Sequence, residues 1–285
     1  MSKPHPVLKV LTTISAARRF RSAAEGRVVL VPTMGALHEG HAALIRRARR
    51  VAGKHGTVIV SIFVNPSQFG PKEDLSRYPR PFAEDRKLCG SLGTDAIFRP
   101  TSDEMYRGDF STWIEESSVS RGLCGASRPG HFRGVCTVVL KLFTITQPGV
   151  AVFGLKDYQQ CRVIARMVRD LNLPVRLVFA PTVRERDGLA LSSRNIFLSA
   201  AERAEAPTIR RGLLGAQAAF RAGARGAAKL KALVKRHLSK LARVDYIECV
   251  NGTSLDPVRT VKRGDTIAVA AFFGRTRLID NIQLG

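Results

Sequence analysis

Two histidines three residues apart, His38 and His41, stand where a strand is expected to give way to a helix. The apolar run at 28–31 predicts a buried strand, and the periodicity that begins near Gly40 predicts an amphipathic helix. Gly35 allows a tight turn between the two elements, and Gly40 lets a ligand approach the start of the helix. A helix N-terminus attracts phosphate, and imidazoles at this spacing can point toward one ligand. The pattern therefore favours nucleotidyl transfer.

Two other interpretations of these histidines stay open. A metal site would need a third ligand, and the spacing does not match H-E-x-x-H. The side chains are also suited to plain capping of the helix.

A second candidate segment follows the next predicted strand. Asn65 and Gln68 are neutral hydrogen-bonding groups that stand beside apolar Phe63 and Phe69. Such a mixture suits a small polar substrate in a partly apolar pocket. The alternative is an Asn-Pro turn with an exposed glutamine.

A third segment begins after the apolar run at 150–153. Gly149 and Gly154 superficially resemble a Walker A loop, but the Gly-Lys-Ser/Thr ending is missing, so that motif is excluded. Lys156 is placed where an ammonium can meet phosphates. Asp157 can cap the following helix or accept a hydrogen bond from a ribose hydroxyl.

A fourth segment places two hydroxyls beside a guanidinium, in Ser192, Ser193 and Arg194. Together they would form a phosphate clamp on a mobile loop. The same run also suits the N-cap of a helix.

These segments need a scaffold in which strands alternate with helices. The expected strands are 28–31, 57–64, 95–98, 150–153 and 175–179, and helices are expected from Gly40 with a stripe of Leu44, Ala48 and Val51, at 135–145 and at 157–171. This alternation predicts an α/β fold with a doubly wound, parallel, Rossmann-like sheet. After Pro181 the pattern changes to helices at 201–221 and 227–241 and short strands at 245–250, 266–273 and 277–280. We therefore expect a domain at 1–182 and a smaller C-terminal α+β domain at 183–285.

The chain of 285 residues is strongly basic, with 46 Lys and Arg against 23 Asp and Glu and a net charge of +23. Its hydrophobic fraction of 45% excludes a disordered chain. The basic residues are scattered or lie on predicted helix faces without interleaved aromatics, which favours a solvated surface. The alternative is a nucleic-acid surface, which would require a continuous basic stripe.

Cysteine content and hydropathy indicate the cellular compartment of the protein. Five cysteines with no C-x-x-C pair predict reduced thiols and a cytoplasmic protein. No apolar run approaches the ~18 residues of a membrane span, so no membrane association is expected. Met1–Pro6 lacks the apolar core of a secretory signal.

Together with two further segments, the four candidate segments resemble the pantoate–β-alanine ligase family over essentially the whole chain. The segments that carry this resemblance are PTMGALHEGH at 32–41, SIFVNPSQFGPKEDLSRYPR at 61–80, RPGHFRGV at 128–135, FGLKDYQQ at 153–160, DGLALSSRN at 187–195 and RTRLIDNI at 275–282. Each segment alone is shared with the wider nucleotidylyltransferase superfamily. His38–His41 resembles the His-Ile-Gly-His motif of that superfamily, and Leu191–Asn195 stands in place of its Lys-Met-Ser-Lys-Ser loop.

The resemblance implies that pantoate and β-alanine are joined with ATP through an enzyme-bound pantoyl adenylate. It implies His41, His38 and Lys156 as catalytic residues and Mg²⁺ bound with the triphosphate, where Asp85 is the expected carboxylate and Glu84 stays open. Gln68 and Gln160 are implied for pantoate, Gln68 also for β-alanine, and Asn65 and Tyr78 lie near that site. The ATP-binding residues implied in this way are Met34, Gly35, His38, Gly40, His41, Gly154, Leu155, Lys156, Asp157, Val183, Leu191, Ser192, Ser193 and Arg194. A homodimer is also implied.

Four positions depart from the common family pattern. Leu155 and Cys124 each stand where a glutamate is usual, Ser67 stands for Met or Leu, and Leu191 stands for Met. The last change conserves volume. The missing carboxylates weaken any detailed inference about Mg²⁺ or dimer contacts.

Two other functions remain as alternatives. The first is a nucleotidylyltransferase that passes AMP or CMP to another acceptor. The neutral pair Gln68 and Gln160 favours a hydroxy acid, because a phosphorylated acceptor would require converging Arg or Lys. The second is RNA binding on an adenylating fold, for which affinity would fall steeply with salt.

Overall fold

The computed structural model describes residues 8–71 and 73–285, which form two compact units. The first unit takes the described residues up to Glu116 together with Pro129–Leu155 and Val163–Pro181, and the second takes Ser117–Arg128, Lys156–Arg162 and Thr182–Gly285. The expected domain boundary at 182/183 stays a prediction. The expectation about a secretory signal falls on Met1–Pro6 and lies outside the described residues.

The first unit is built on a six-stranded parallel sheet in the order β1-β4-β3-β2-β5-β6. Its strands are β1 Lys9–Leu11, β2 Val28–Thr33, β3 Thr57–Ile62, β4 Ala96–Phe98, β5 Val150–Gly154 and β6 Arg176–Ala180. The parallel α/β prediction is confirmed. Of these six strands, β1 has no counterpart in the sequence prediction, because a three-residue edge strand carries too little periodicity to be recognised.

Helices connect the strands of this sheet and continue into the C-terminal part of the chain. They are α1 Ile14–Ser22, α2 Glu39–Ala52, α3 Phe82–Ser91, α4 Ser102–Met105, α5 Cys124–Ser127, α6 His131–Thr146, α7 Tyr158–Asp170, α8 Ala200–Glu205, α9 Thr208–Arg221 and α10 Ala227–His237. In α2 the buried stripe is Ala42, Ile45, Ala48 and Ala52. The expected Leu44 and Val51 are partly buried against the same core, so the predicted stripe was displaced around the helix.

The chain order of the strands creates a switch point beside β2. From β2 the chain proceeds through β3 to β4 on one side, and it then returns to place β5 on the other side of β2. Open α/β sheets bind ligands at the carboxyl ends of strands where the order reverses. The segment that leaves β2 after Thr33 therefore occupies the favoured position for a ligand.

The second unit contains an antiparallel sheet of β7 Ala242–Val250, β8 Thr266–Phe273 and β9 Thr276–Gln283. Along β9, buried residues alternate with partly buried ones, as expected for a strand with one face on a core. Side chains of α9 and α10, such as Leu213 and Leu230, share one hydrophobic cluster with Ile267 and Phe273 of β8. The expected smaller α+β region is confirmed.

Two of the predicted helices end differently in the structure. The helix expected at 201–221 is divided into α8 and α9 at Pro207, whose ring and missing N–H interrupt the ladder of a continuous helix. The helix expected at 227–241 ends at His237. Pro207 was an available sequence signal for the first of these boundaries.

All five cysteines are buried free thiols. Burial raises the pKa of Cys89, Cys136 and Cys249 to about 12. Across residues 8–71 and 73–285, none of the helices combines the length and apolarity needed to cross a membrane.

Candidate functional site

The first two candidate segments leave adjacent parallel strands at the same edge of the sheet. β2 and β3 pair in register from Val28↔Thr57 to Thr33↔Ile62, so both connections begin at one level. The two segments meet directly, because Gln68 Nε2 donates to Met34 Sδ at 3.1 Å. The structure therefore brings together the glycine-histidine loop and the Asn65–Gln68 turn within the first unit.

His38 and His41 form the N-terminal cap of α2. His38 is the N-cap residue, and its Nδ1 accepts from the Gly40 N–H at 3.1 Å. His41 Nδ1 accepts in turn from the His38 N–H at 3.3 Å, and the two rings lie 4.2 Å apart. The capping interpretation of the histidines is thus satisfied at their Nδ1 atoms.

This capping also determines which ring nitrogen carries the proton. A nitrogen that accepts from a backbone N–H is unprotonated, so a neutral ring carries its proton on Nε2. His38 and His41 are therefore both held in the Nε2–H tautomer at the positive end of the α2 dipole. Two N–H donors at a helix N-terminus suit an anionic ligand, so capping and ligand binding are compatible roles.

The loop before the cap is shaped by Asp85, which comes from the first turn of α3. Its Oδ2 accepts from the Ala36 N–H at 3.0 Å, and its Oδ1 accepts from the Leu37 N–H at 2.7 Å. The carboxylate is only 2% exposed. Burial raises its pKa above the usual range of an aspartate, and the two amide hydrogen bonds offset only part of that shift.

The position of Asp85 bears on the expected Mg²⁺ ligand. Both of its oxygens are already paired with amides, and no cluster of three metal-ligating side chains lies in 8–71 or 73–285. Mg²⁺ requires nearly octahedral oxygen ligation and retains several waters, which a buried, amide-bound carboxylate does not accommodate. Asp85 therefore does not fit the metal role that the resemblance implies.

Asn65 is fully committed to protein partners in the second segment. It follows β3, caps the 3₁₀ turn Pro66–Gln68 and is 1% exposed. Its Nδ2 donates to Gln68 Oε1 at 3.1 Å and to the Gly134 carbonyl at 3.2 Å. Its Oδ1 accepts from the Ser67 N–H, from the Ser67 hydroxyl and from the Tyr106 hydroxyl. An amide has two N–H bonds to donate, and both are used.

These partners fix the orientation of the Gln68 amide. The Ser67 N–H can only donate and the Gly134 carbonyl can only accept, so the two amide atoms of Asn65 cannot be exchanged. Asn65 then presents a donor to Gln68, whose facing atom must be Oε1. Gln68 Nε2 is consequently directed to the Met34 side, next to the histidine loop.

Two residues that support this turn, Tyr106 and His131, had no role predicted from the sequence. Tyr106 donates to Asn65 Oδ1 at 2.9 Å, and His131 Nδ1 lies 2.7 Å from the Gln68 carbonyl, which makes Nδ1 the protonated nitrogen. Burial raises the pKa of the Tyr106 hydroxyl, although its bonds to Ser67 and Asn65 lower it in part. His131 lies within the recognised segment 128–135, which was the available signal. Nothing in the sequence around Tyr106 singled it out.

Tyr78 is buried on the same unit. Its ring stands edge-on to that of Phe69, with centroids 6.1 Å apart. Tyr78 therefore packs against Phe69, one of the apolar residues predicted to lie beside a small polar substrate.

In the third segment, β5 ends at Gly154 and the chain continues through the 3₁₀ turn Leu155–Asp157 into α7. Within the second unit, Asn281 of β9 donates to the Lys156 carbonyl at 3.0 Å, which fixes the backbone at the lysine. Lys156 Nζ lies 3.7 Å from Asp157 Oδ1, and both side chains are accessible in part.

The two neighbouring glutamines of α7 have different environments. Gln159 is buried, donates to the carbonyls of Val119 and Gly122, and accepts from the Cys124 N–H. It therefore holds the 119–124 segment, while the predicted pantoate ligand Gln160 is only partly buried.

The fourth segment forms a short hairpin in the second unit. Leu191 N–H donates to the Val183 carbonyl at 3.1 Å, and Gly188 turns the chain with a φ of 93°. Arg184 binds both carboxylate oxygens of Asp280, at 2.6 and 2.8 Å, which ties the hairpin to β9. Ser192 Oγ accepts from the Arg194 N–H and caps the 3₁₀ helix Ser193–Phe197. The N-cap interpretation of this run therefore holds for Ser192.

Cys124, at the position where the family usually has a glutamate, lies in a polar cluster of the second unit. Its Sγ is 3.2 Å from the Tyr246 hydroxyl and 3.5 Å from Arg277 Nη1. Arg277 also forms an ion pair with Asp245 at 2.8 Å. A thiol thus occupies a place beside a guanidinium where a carboxylate would form a second ion pair.

Comparison with known proteins gives a consistent result. A family model described as pantoate-beta-alanine ligase matches residues 9–283. The pantothenate synthetase of Thermotoga petrophila is 50% identical over 283 residues, which cover 98% of this chain and 100% of that protein. A crystal structure of pantothenate synthetase from Thermus thermophilus aligns with a TM-score of 0.91 at 44% identity, over 97% of this chain and 99% of that one. The crystal structure of a Francisella tularensis pantoate-beta-alanine ligase complexed with beta-gamma ATP and beta-alanine aligns with a TM-score of 0.80 at 33% identity, over 97% and 98% of the two chains.

Proposed function

Because the chain belongs to the pantoate-beta-alanine ligase family, we propose that it joins pantoate to β-alanine through an enzyme-bound pantoyl adenylate. In the first step a pantoate carboxylate oxygen attacks the α-phosphorus of ATP, and the bond from that phosphorus to the pyrophosphate oxygen breaks. In the second step the β-alanine amine attacks the acyl carbon, AMP leaves with the acyl oxygen, and the nitrogen loses a proton. The products are pantothenate, AMP and pyrophosphate.

One observation carries this proposal: two Nε2–H imidazoles at a helix N-terminus lie beside a turn whose amide is oriented by neutral partners. The imidazoles suit phosphate oxygens, whose charge grows as the α-phosphorus is attacked. Gln68 suits the hydroxyl and carboxylate of a small hydroxy acid, because its amide offers neutral hydrogen bonds. His41 is the proposed principal catalytic donor, with His38 in support.

The remaining roles are proposals that rest on the family. Nucleotide contacts are proposed for Met34, Gly35, Gly40, Gly154, Leu155, Lys156, Asp157, Val183, Leu191, Ser192, Ser193 and Arg194. Gln160 and Tyr78 are proposed near pantoate, and Asn65 is proposed to act through Gln68 because its own polar atoms are bonded within the protein. Mg²⁺ is expected to accompany the triphosphate with mostly water and phosphate ligands.

Three further properties are proposed for the protein as a whole. The buried free thiols support a cytoplasmic location. A homodimer and a domain boundary at 182/183 are proposed from the family and from the change in sequence pattern.

The proposed function is tested by supplying the substrates separately. With ATP and pantoate alone, labelled pyrophosphate should exchange into ATP, and net AMP release should require β-alanine as well. AMP release without pantoate, or the absence of turnover with all three substrates, would contradict the ligase assignment. Exchange that required β-alanine would contradict a separate adenylate.

Variants test the proposed catalytic groups. His41→Ala and Lys156→Ala should each lower kcat by at least about a hundredfold, because each removes a charge-stabilising donor from the phosphates. Lys229→Ala, at an exposed position of α10, removes the same charge as Lys156→Ala and should leave turnover unchanged. Near-full activity in either of the first two variants would exclude the role assigned to that residue.

A further inference from the structure

The loop between β2 and α2 contains two consecutive residues in the left-handed region. Gly35 has a φ of 83° and Ala36 has a φ of 50°. Glycine adopts such angles readily, but alanine does so only at a cost that the surroundings must offset. Ala36 is also buried, so the groups that hold it in this conformation belong to the protein.

The N–H groups after these angles converge on one anion. Consecutive amides in a turn of this kind form a concave anion site, which in many proteins receives a phosphate. In this chain the anion is a protein carboxylate, since Ala36 N–H and Leu37 N–H donate to the two oxygens of Asp85. A Cβ built on Gly35 would lie 3.0 Å from Asp85 Oδ2 and 3.0 Å from Ile62 Cγ2, so the loop is closely packed against the carboxylate.

The shaped loop leads directly into the histidine cap. Leu37 precedes His38, whose N–H is bound by His41 Nδ1 and whose Nδ1 caps α2. A change in the backbone at 36 and 37 would therefore move both imidazoles. Within 8–71 and 73–285, no side chain other than Asp85 accepts from the N–H of Ala36 or Leu37.

From this geometry we propose that Asp85 is a positioning residue: its carboxylate fills the amide nest at 36–37 and thereby sets the positions of His38 and His41. The effect of Asp85 on catalysis rests on the proposed function, whereas its effect on the shape of the loop does not. The N–H groups of Ala36 and Leu37 are already bonded within the protein. We therefore expect the phosphates to bind at His38 and the residues that follow it. Asp85 thus shapes the nucleotide loop and is not a ligand of Mg²⁺.

The test combines Asp85→Asn with Ala36→Gly in the full-length chain. Asp85→Asn keeps the size of the side chain but turns one acceptor into a donor that faces a backbone N–H. It should speed hydrogen exchange of the Ala36 and Leu37 amides by at least about tenfold and lower kcat/KM for ATP by about tenfold or more. The Mg²⁺ concentration for half-maximal rate should stay unchanged.

The double variant distinguishes loop shape from metal binding. Glycine at 36 accepts a positive φ without strain, so Asp85→Asn/Ala36→Gly should regain at least about threefold in kcat/KM over Asp85→Asn alone. A metal ligand would not be replaced by a glycine in another loop. Absence of rescue, or a raised Mg²⁺ requirement that excess Mg²⁺ corrects, would overturn the proposal.

Two controls complete the design. Asp103→Asn removes an exposed aspartate from the first turn of α4, so it matches the lost helix-dipole interaction and should leave exchange and turnover unchanged. If Asp85→Asn does not fold, Ala36→Val decides, because a β-branched residue strains this φ while leaving the carboxylate in place. Wild-type kcat/KM for ATP in Ala36→Val would overturn the proposal. Hydrogen exchange needs no substrate, so its outcome is independent of whether the protein makes pantothenate.

Discussion

The loop after β2 and the turn after β3 lie at the same sheet edge and contact each other, but they are stabilised in different ways. The loop depends on backbone angles, on a helix cap made by its own residues and on one buried charge from α3. The turn depends on neutral hydrogen bonds. They join Asn65, which follows β3, to the glutamine of the turn, to Tyr106 directly after α4 and to Gly134 within α6. The difference separates a site part whose ligand-facing residues are contiguous in the chain, with one distant carboxylate behind them, from one that is assembled by several distant residues.

Each arrangement suits the ligand proposed for it. Phosphate recognition requires N–H donors in a fixed array, which a helix N-terminus supplies from contiguous residues. Recognition of a neutral hydroxyl beside a carboxylate requires one amide in one orientation, and an isolated glutamine has no preference between its two orientations. The distant partners of Gln68 provide that preference.

The largest effect is expected where helix α6 packs against the turn. A Cβ on Gly134 would lie 2.4 Å from the Ser67 carbonyl oxygen and 2.7 Å from the Gln68 nitrogen, and both are backbone atoms. Gly134→Ala should therefore lower the free energy of unfolding by about 2–3 kcal/mol and displace the turn while the histidine cap stays intact. Urea denaturation measures the first effect, and KM values for pantoate and ATP measure the second.

The matched control is Gly90→Ala in α3. Its Cβ would find Leu8 at 3.7 Å, which is an ordinary contact. This change should be neutral or slightly stabilising, since alanine favours helix over glycine. An equal rise in KM for ATP and for pantoate in Gly134→Ala would mean that the loop after β2 and the turn after β3 do not respond independently.

The next effect concerns the polarity of Asn65. Asn65→Asp retains the shape of the side chain but removes both N–H donors, so the acceptor Gln68 Oε1 would face a carboxylate and the glutamine amide would turn over. KM for pantoate should rise more than about tenfold, with less than about a threefold change in KM for ATP.

A double-mutant comparison shows whether Asn65 acts through Gln68. Gln68→Ala should weaken pantoate and β-alanine binding more than ATP binding. In that background, Asn65→Asp should add little to the pantoate effect, because the group that it orients is already absent. Multiplicative effects in the double variant would mean that Asn65 contacts the substrate itself.

The two regions also differ in how far the sequence could predict them. The strand, the glycines and the histidines of the loop are contiguous, so the parallel sheet and the cap of α2 follow from pattern and propensity, whereas the strand order that creates the switch point does not. The partners of the turn are separated from Asn65 by 41 residues for Tyr106 and by 69 for Gly134. No periodicity links residues at such distances, and the family resemblance marked segment 128–135 without a role for it.

Asp85 shows a different limit of sequence reasoning. The resemblance associated it with the phosphates, but it could not indicate what the carboxylate contacts. The structure pairs its oxygens with two amides 48 and 49 residues earlier in the chain. A carboxylate close to phosphates suggests a metal, whereas a carboxylate that is buried against N–H groups serves the backbone.

The smallest expected effect is a pH dependence that belongs to the loop and not to the turn. Burial raises the pKa of Asp85 above its ordinary value of 3.8, with a further contribution from the charge of Glu84, against the lowering by the Leu37 and Ala36 amides. The folded protein therefore binds this proton more tightly than the unfolded chain, so the stability contributed by Asp85 is complete below pH 3.8 and is lost as pH rises through the folded pKa.

The difference in unfolding free energy between wild type and Asp85→Asn should accordingly fall from acidic to neutral pH and then become constant. The corresponding difference for Asn65→Ala should not change with pH over this range, because Asn65 carries no titratable group and His131 bonds to the backbone carbonyl of Gln68, which the substitution leaves in place. Urea denaturation of the three proteins between about pH 4 and 8 measures both differences, and a parallel pH dependence in Asn65→Ala would place the titrating group outside the loop.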